Sequence, residues 1–202
     1  MKSWNSFCFV LLMVSGCTSQ PIQSTLNEGE TTLTPVPDAL SFAAPTLGRD
    51  VDGGTRLDLR TSFDGPVLLL WVAAGCNGCH DWTALLRQEI DSGRISNSTN
   101  IISVHRYPEI ESFELMTARY GDVNSTTYAP WPVMLPPTNT NVIDANSGRM
   151  TDVSIYRAFQ QPVTPTLQVL DGDGRLVWTS KTYWANSTVL AEALNIMETS
   201  RY

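Results

Sequence analysis

Val67-Leu-Leu-Leu-Trp-Val-Ala-Ala-Gly-Cys-Asn-Gly-Cys-His80 decides how this chain is read. Val67–Val72 is a run of aliphatic and aromatic residues, the pattern of a strand buried on both faces. Gly75 ends that run, and Cys76 and Cys79 follow with two residues between them. Past Cys79 the period changes. Trp82, Leu85, Leu86 and Ile90 recur at helical spacing, and Gly93 supplies a stop. The stretch predicts a buried strand feeding a helix, with both cysteines in the helix's first turn.

That placement has chemical consequences. The first turn of a helix carries unpaired amide N–H groups and the positive end of the macrodipole. A thiolate at Cys76 is stabilised there, and Cys79 is close enough to close a disulfide with it. The pair can cycle between dithiol and disulfide by exchange with another protein. Other readings stay open on these residues. Because His80 follows Cys79, the string is also Cys-x-x-Cys-His, the attachment pattern of a c-type haem. His80 is then the axial ligand, with Met116, Met134 or Met150 as a candidate for the second. A static structural disulfide is the plain alternative. A zinc knuckle is disfavoured, since His105 stands alone without a second Cys/His pair; His105 reads as a strand-face residue near the core.

The N-terminus reads as a targeting segment, residues 1–16. Lys2 is a minimal positive region, and Phe7–Val14 is an apolar core too short to span a bilayer as a helix. Val14-Ser15-Gly16-Cys17 resembles the lipobox of secreted lipoproteins, in which the peptide is cut before the cysteine and the cysteine receives lipid. With Cys8 removed and Cys17 lipidated, Cys76 and Cys79 are the only thiol pair of the mature chain. Residues 17–40 read as a lipid-anchored flexible linker: Thr18–Asp38 is rich in Ser, Thr and Pro and has no aromatic residue, Lys or Arg. The expected location is extracytoplasmic, on the periplasmic or cell-surface face of a membrane. Asn97, Asn124 and Asn186 head Asn-x-Ser/Thr sequons and are possible glycosylation sites.

The 202 residues, 42% hydrophobic, can bury one sizeable core, expected over residues 41–202. The net charge of −7, with no basic cluster, argues against nucleic-acid binding. Residues 42–47 and 55–60 alternate apolar and polar about an Asp52-Gly53-Gly54 turn, predicting a hairpin. Residues 100–107 predict a second buried strand. Pro108 is read as starting a helix with an Ile110, Phe113, Met116 and Tyr120 stripe. Residues 138–148 read as a loop, and Thr151 as the cap of a short helix through Phe159. Leu167–Leu170 and Arg175–Thr179 read as strands about the Asp171-Gly172-Asp173-Gly174 turn. That turn lacks the later ligands of an EF-hand. A last helix, capped by Asn186 or Ser187, packs through Val189, Leu190, Ala193, Leu194 and Met197. The order gives an α/β fold, a mixed sheet with helices on both faces.

Four features then resemble one family: the Ala44-Pro-x-Leu47 opening before a hairpin, the strand entering Cys76-Asn-Gly-Cys79, Val163-Thr164-Pro165 before a late strand, and the Asp171–Arg175 hairpin before the closing helix. Together they resemble the thioredoxin-like superfamily, in its membrane-anchored redoxin (TlpA-like) lipoprotein form. The resemblance implies a thioredoxin fold, with a mixed central sheet, flanking helices and an N-terminal β-hairpin extension. It implies that Cys76 and Cys79 are catalytic and form a disulfide, that Pro165 is cis, and that Thr164 and Pro165 shape the substrate groove. The chain departs from the family at Gly75, usually Trp, and at Leu70 and Trp82, where acids are found in some members. His80 is the residue left to tune the thiolate. The implied activity is thiol–disulfide exchange, with no cofactor and no metal. Its partners are exported thiol- or disulfide-containing proteins and a membrane electron donor or acceptor. A thioredoxin-fold binding or assembly module without redox turnover is the second expectation.

Overall fold

The structure, a computed structural model, describes residues 33–200. The targeting segment, Cys17 and the linker through residue 32 lie outside the described residues. Contacts begin ahead of Ser41: the Thr34 hydroxyl donates to Asp152 at 2.8 Å, Arg157 donates to the Thr34 carbonyl at 2.8 Å, and Ala39 is fully buried. The compact unit accordingly starts at Thr34. No helix among the described residues is long and apolar enough to cross a membrane.

In chain order the elements are β1 (Leu40–Ser41), β2 (Ala43–Pro45), β3 (Arg56–Asp58), α1 (Leu59–Ser62), β4 (Val67–Val72), α2 (Asn77–Asp91), β5 (Ile101–His105), α3 (Phe113–Met116), β6 (Val133–Met134), β7 (Asn141–Asp144), β8 (Arg149–Ser154), α4 (Ile155–Ala158), β9 (Thr166–Leu170), β10 (Leu176–Ser180) and α5 (Ser187–Thr199). The central sheet runs β10-β9-β4-β5-β6, with β4, β5 and β6 parallel and β9 antiparallel to both β4 and β10. β2 and β3 form the expected hairpin, which joins the sheet edge through Leu135 N–H on the Pro45 carbonyl, 2.7 Å.

β4 is central, so both of its faces are buried and its sequence is continuously apolar. Leu68, Leu70 and Val72 face Trp82 and Leu86 of α2, Met116 and Tyr120, and Leu190, Ala193 and Met197 of α5. Val67, Leu69 and Trp71 face the hairpin's Ala44 and Leu57, β7 and β8 through Val142 and Val153, and α4 through Ile155. The two long helices thus cover one face. Hairpins and the one-turn helices α1 and α4 cover the other.

The segment 138–159 differs from its sequence reading. Residues 141–144 and 149–154 pair as an antiparallel hairpin, and β1 completes a three-stranded sheet. The Thr151 hydroxyl donates to the Val142 carbonyl across that hairpin at 2.9 Å, so it caps no helix. Ser154 is the cap instead, accepting Arg157 N–H at 3.3 Å. The helix read from Pro108 also starts later. Ser112 caps α3, which continues as a π turn over Thr117–Gly121. Ile110 and Phe113 stay 75% and 51% exposed, outside the packed stripe, which keeps Met116 and Tyr120.

Candidate functional site

β4 and β5 are parallel and end together, Val72 opposite His105. The turn after β4 and the loop after β5 therefore emerge side by side at one end of the sheet, where open α/β folds place their sites. Residues 73–75 form the turn, and Cys76 caps α2 in extended conformation. Its sulfur accepts the Cys79 N–H at 3.0 Å, one of the orphan donors of the first turn. Cys76 and Cys79 are joined as a disulfide, with Cα atoms 5.2 Å apart. The two sulfurs are not equivalent. Cys76 retains 8% exposure, whereas Cys79 is fully buried, its Sγ 3.8 Å from the Trp71 carbonyl oxygen.

Three side chains grip the turn just ahead of Cys76. The Tyr120 hydroxyl donates to the Ala73 carbonyl at 2.8 Å. Glu111, from the loop after β5, accepts Ala74 N–H on Oε2 at 2.8 Å and Gly75 N–H on Oε1 at 3.1 Å. His80 Nε2 lies 2.9 Å from the Ala74 carbonyl, so that nitrogen carries the proton and donates. Behind Glu111, His105 Nε2 stands 3.0 Å from Oε2. Burial lowers the pKa of His80, outweighing the Ala74 hydrogen bond that raises it. Burial also lowers that of His105, against the opposing pull of Glu111. Both imidazoles are neutral at pH 7. Burial pushes the Tyr120 hydroxyl far above its ordinary range, keeping it a donor.

The other wall comes from the chain after β10. Gly78 lies under Tyr183, whose carbonyl and ring leave no room for a Cβ. Trp82 Nε1 donates to the Thr182 carbonyl, and the Asp81 carboxylate accepts Ala185 N–H, both at 2.9 Å. Tyr183 and Trp184 stack edge-to-face and remain exposed at 45% and 60%. The Thr164–Pro165 bond is cis. Thr166 pairs with Trp71, so Pro165 sits at the same end of the sheet as the Cys76 turn.

The haem arrangement finds its two attachment sulfurs and its histidine already engaged. The two sulfurs are bonded to each other, and His80 Nε2 is taken by Ala74. Met116 and Met134 are fully buried in separate core clusters, and Met150 is exposed on β8. Asn97, Asn124 and Asn186 are all exposed, although Asn186 also caps α5 by accepting Thr188 and Val189 N–H. Glu111 is the site residue the sequence reading missed. The signal was present in the parallel pairing of the two strands, which brings the residues after His105 beside residues 73–76.

No family model matches the sequence, and neither does any curated protein. Solved structures do. The thioredoxin domain of a thiol-disulfide oxidoreductase from Bacteroides vulgatus superposes with a TM-score of 0.53 at 14% identity, covering 82% of this chain and 99% of that one. The pneumococcal exposed lipoprotein thioredoxin of Streptococcus pneumoniae gives 0.51 at 14% identity, over 77% and 98%. A secreted disulfide oxidoreductase of Mycobacterium tuberculosis gives 0.50 at 15%, over 77% and 95%. At these identities the likeness is one of fold, and the chain has the thioredoxin fold, with a β-hairpin extension at its start and its Cys76-x-x-Cys79 pair at the head of α2.

Proposed function

We propose that the protein is a thiol–disulfide oxidoreductase working outside the cytosol, anchored to a membrane through lipid on Cys17. The observation that carries this reading is the inequivalence of the pair: a bonded Cys76–Cys79 at a helix N-terminus, with only Cys76 reaching the surface. In the reducing direction the Cys76 thiolate attacks a disulfide of the substrate protein. A Cys76–substrate disulfide forms and one substrate thiolate leaves. Cys79, as thiolate, then attacks the Cys76 sulfur, the second substrate thiolate departs, and the intramolecular disulfide closes. Two electrons pass to the substrate, its thiolates take up two protons, and a dithiol donor at the membrane restores the reduced pair. Run backwards, the same steps oxidise a substrate dithiol. Thr164 and Pro165 line the groove in which the substrate strand lies, and His80 holds the turn from which Cys76 attacks.

Support for location comes from the lipobox-like Val14–Cys17 and the Ser/Thr/Pro-rich stretch after it. Solved structures of this fold include secreted and lipoprotein examples. The partners are exported proteins with thiols or disulfides. The test is trapping. The Cys79→Ser variant accumulates mixed disulfides with partner proteins, and Cys76→Ser forms none and loses exchange activity. Full activity in Cys76→Ser overturns the proposal.

A further inference from the structure

We infer that Glu111 is the positioning residue of the Cys76 turn: held by His105, its carboxylate fixes Ala74 and Gly75 and keeps a negative charge beside the nucleophilic sulfur. The argument starts from donors. Ala74 N–H, Gly75 N–H and His105 Nε2–H all point at Glu111. A carboxylate only accepts and takes all three, whereas an amide would turn its NH2 against one of them. His105 closes the buried strand β5 at 2% exposure, and its Nε2 has Glu111 as its partner.

Geometry delivers the charge to the right place. Glu111 contacts the backbone one and two residues ahead of Cys76, and Gly75 puts no side chain between. A Cβ there would stand 3.9 Å from Oε1. The carboxylate sits in the wall of an open cleft of about 600 Å³, lined also by Ile110, Leu115 and Arg119. The charged and titratable groups around the turn are Glu111, Arg119, His80, His105 and Tyr120, with Glu109 acting on His105; burial keeps the two imidazoles and the phenol uncharged. An anion near a thiolate disfavours it. Glu111 therefore opposes the stabilisation supplied by the α2 N-terminus and keeps the Cys76 thiol less acidic than the helix alone would make it.

The inference rests on Cys76 being the attacking sulfur. Its test is the pH profile of iodoacetamide alkylation at Cys76, measured on the reduced full chain and assigned by tandem mass spectrometry. Glu111→Gln shifts the midpoint to lower pH, and alkylation below the midpoint runs about fivefold faster than in the parent, the size of one nearby unit-charge interaction screened close to the dielectric of water across the open cleft. An unchanged or raised midpoint overturns the inference, because a purely structural role alters rates without moving it. Circular dichroism checks the fold of the variant. If Glu111→Gln does not fold, Glu111→Ala replaces it, since water from the open cleft reaches the two freed amides. A shifted midpoint with no trapped partners leaves the role of Glu111 standing and removes the redox turnover. Trapping with an unmoved midpoint does the reverse.

Discussion

The carbonyl oxygen of Tyr183 lies against Gly78, the second residue between the two cysteines, so closely that a β-carbon at position 78 would collide with it. The contact locks the first turn of α2 to the aromatic segment that follows β10, and it sets which residues the motif can hold.

Two effects compete when Gly78 becomes alanine. Helix propensity favours alanine by up to about 1 kcal/mol. The forced shift of the Tyr183 main chain costs about 1–3 kcal/mol. The clash wins, so Gly78→Ala lowers the unfolding free energy in urea and changes the fluorescence of the neighbouring Trp184. Stabilisation by Gly78→Ala would show that this wall moves freely.

Arg49 holds a second junction. Its guanidinium donates to both oxygens of Asp52, at 3.1 and 2.7 Å, and to the carbonyls of Tyr120, Ala129 and Trp131, at 2.9, 2.8 and 2.8 Å. Asp52 is 1% exposed and also accepts Val133 N–H at 3.0 Å. Arg49→Ala strands that buried carboxylate and costs about 3–5 kcal/mol. Arg49→Lys recovers only part of the loss, because an ammonium cannot reach five acceptors in one plane. Urea denaturation of both variants checks the order.

His105 makes stability depend on pH with a definite sign. Burial depresses its folded-state pKa below the ordinary value of about 6.5, so the unfolded chain binds the proton first on acidification. The stabilisation is complete above pH of about 6.5 and is lost as pH falls below it toward the folded value, with a slope of at most about 1.4 kcal/mol per pH unit for one proton. His105→Gln makes that limb of the stability curve shallower, and the remainder belongs to His80, whose pKa burial also lowers. An equally steep limb in the variant would assign it to other groups.

Tyr120→Phe removes the shorter of two hydrogen bonds to the Ala73 carbonyl, 2.8 Å from the Tyr120 hydroxyl against 3.3 Å from the Cys76 N–H. A loss of about 0.5–1.5 kcal/mol is expected, the net contribution of one hydrogen bond, because the carbonyl keeps the Cys76 N–H. Thermal unfolding at fixed pH measures it, and an unchanged midpoint would mean that the Cys76 amide alone satisfies the carbonyl.

What the sequence disclosed was whatever local pattern alone decides. The run Val67–Val72, the helical period after Cys79 and the turn at Asp171–Gly174 each need no distant partner to be recognised, and each lies where expected. Segment 138–159 was obscured because Val153, Ile155, Tyr156, Ala158 and Phe159 pass from strand to helix without a break in burial. The hairpin partner of Thr151 is settled only by tertiary pairing. The start of α3 was misplaced for a different reason. Residues 107–111 close a separate turn, with Ile110 and Glu111 N–H both donating to the Tyr107 carbonyl at 3.1 Å, and the helix starts afresh from its Ser112 cap. The cysteine pair was legible from spacing, whereas the acid beside it belongs to a loop 35 positions after Cys76 and depends on two strands ending together.

The most direct test of a redox-active Cys76–Cys79 is its reduction potential, obtained by equilibrating the protein in graded thiol buffers and reading the oxidised fraction by alkylation and mass. The account predicts a value above about −300 mV, near −270 mV for a reductase or nearer −120 mV for an oxidant. A pair that stays oxidised below about −300 mV is a structural bridge, and the thioredoxin fold here would then serve binding without turnover.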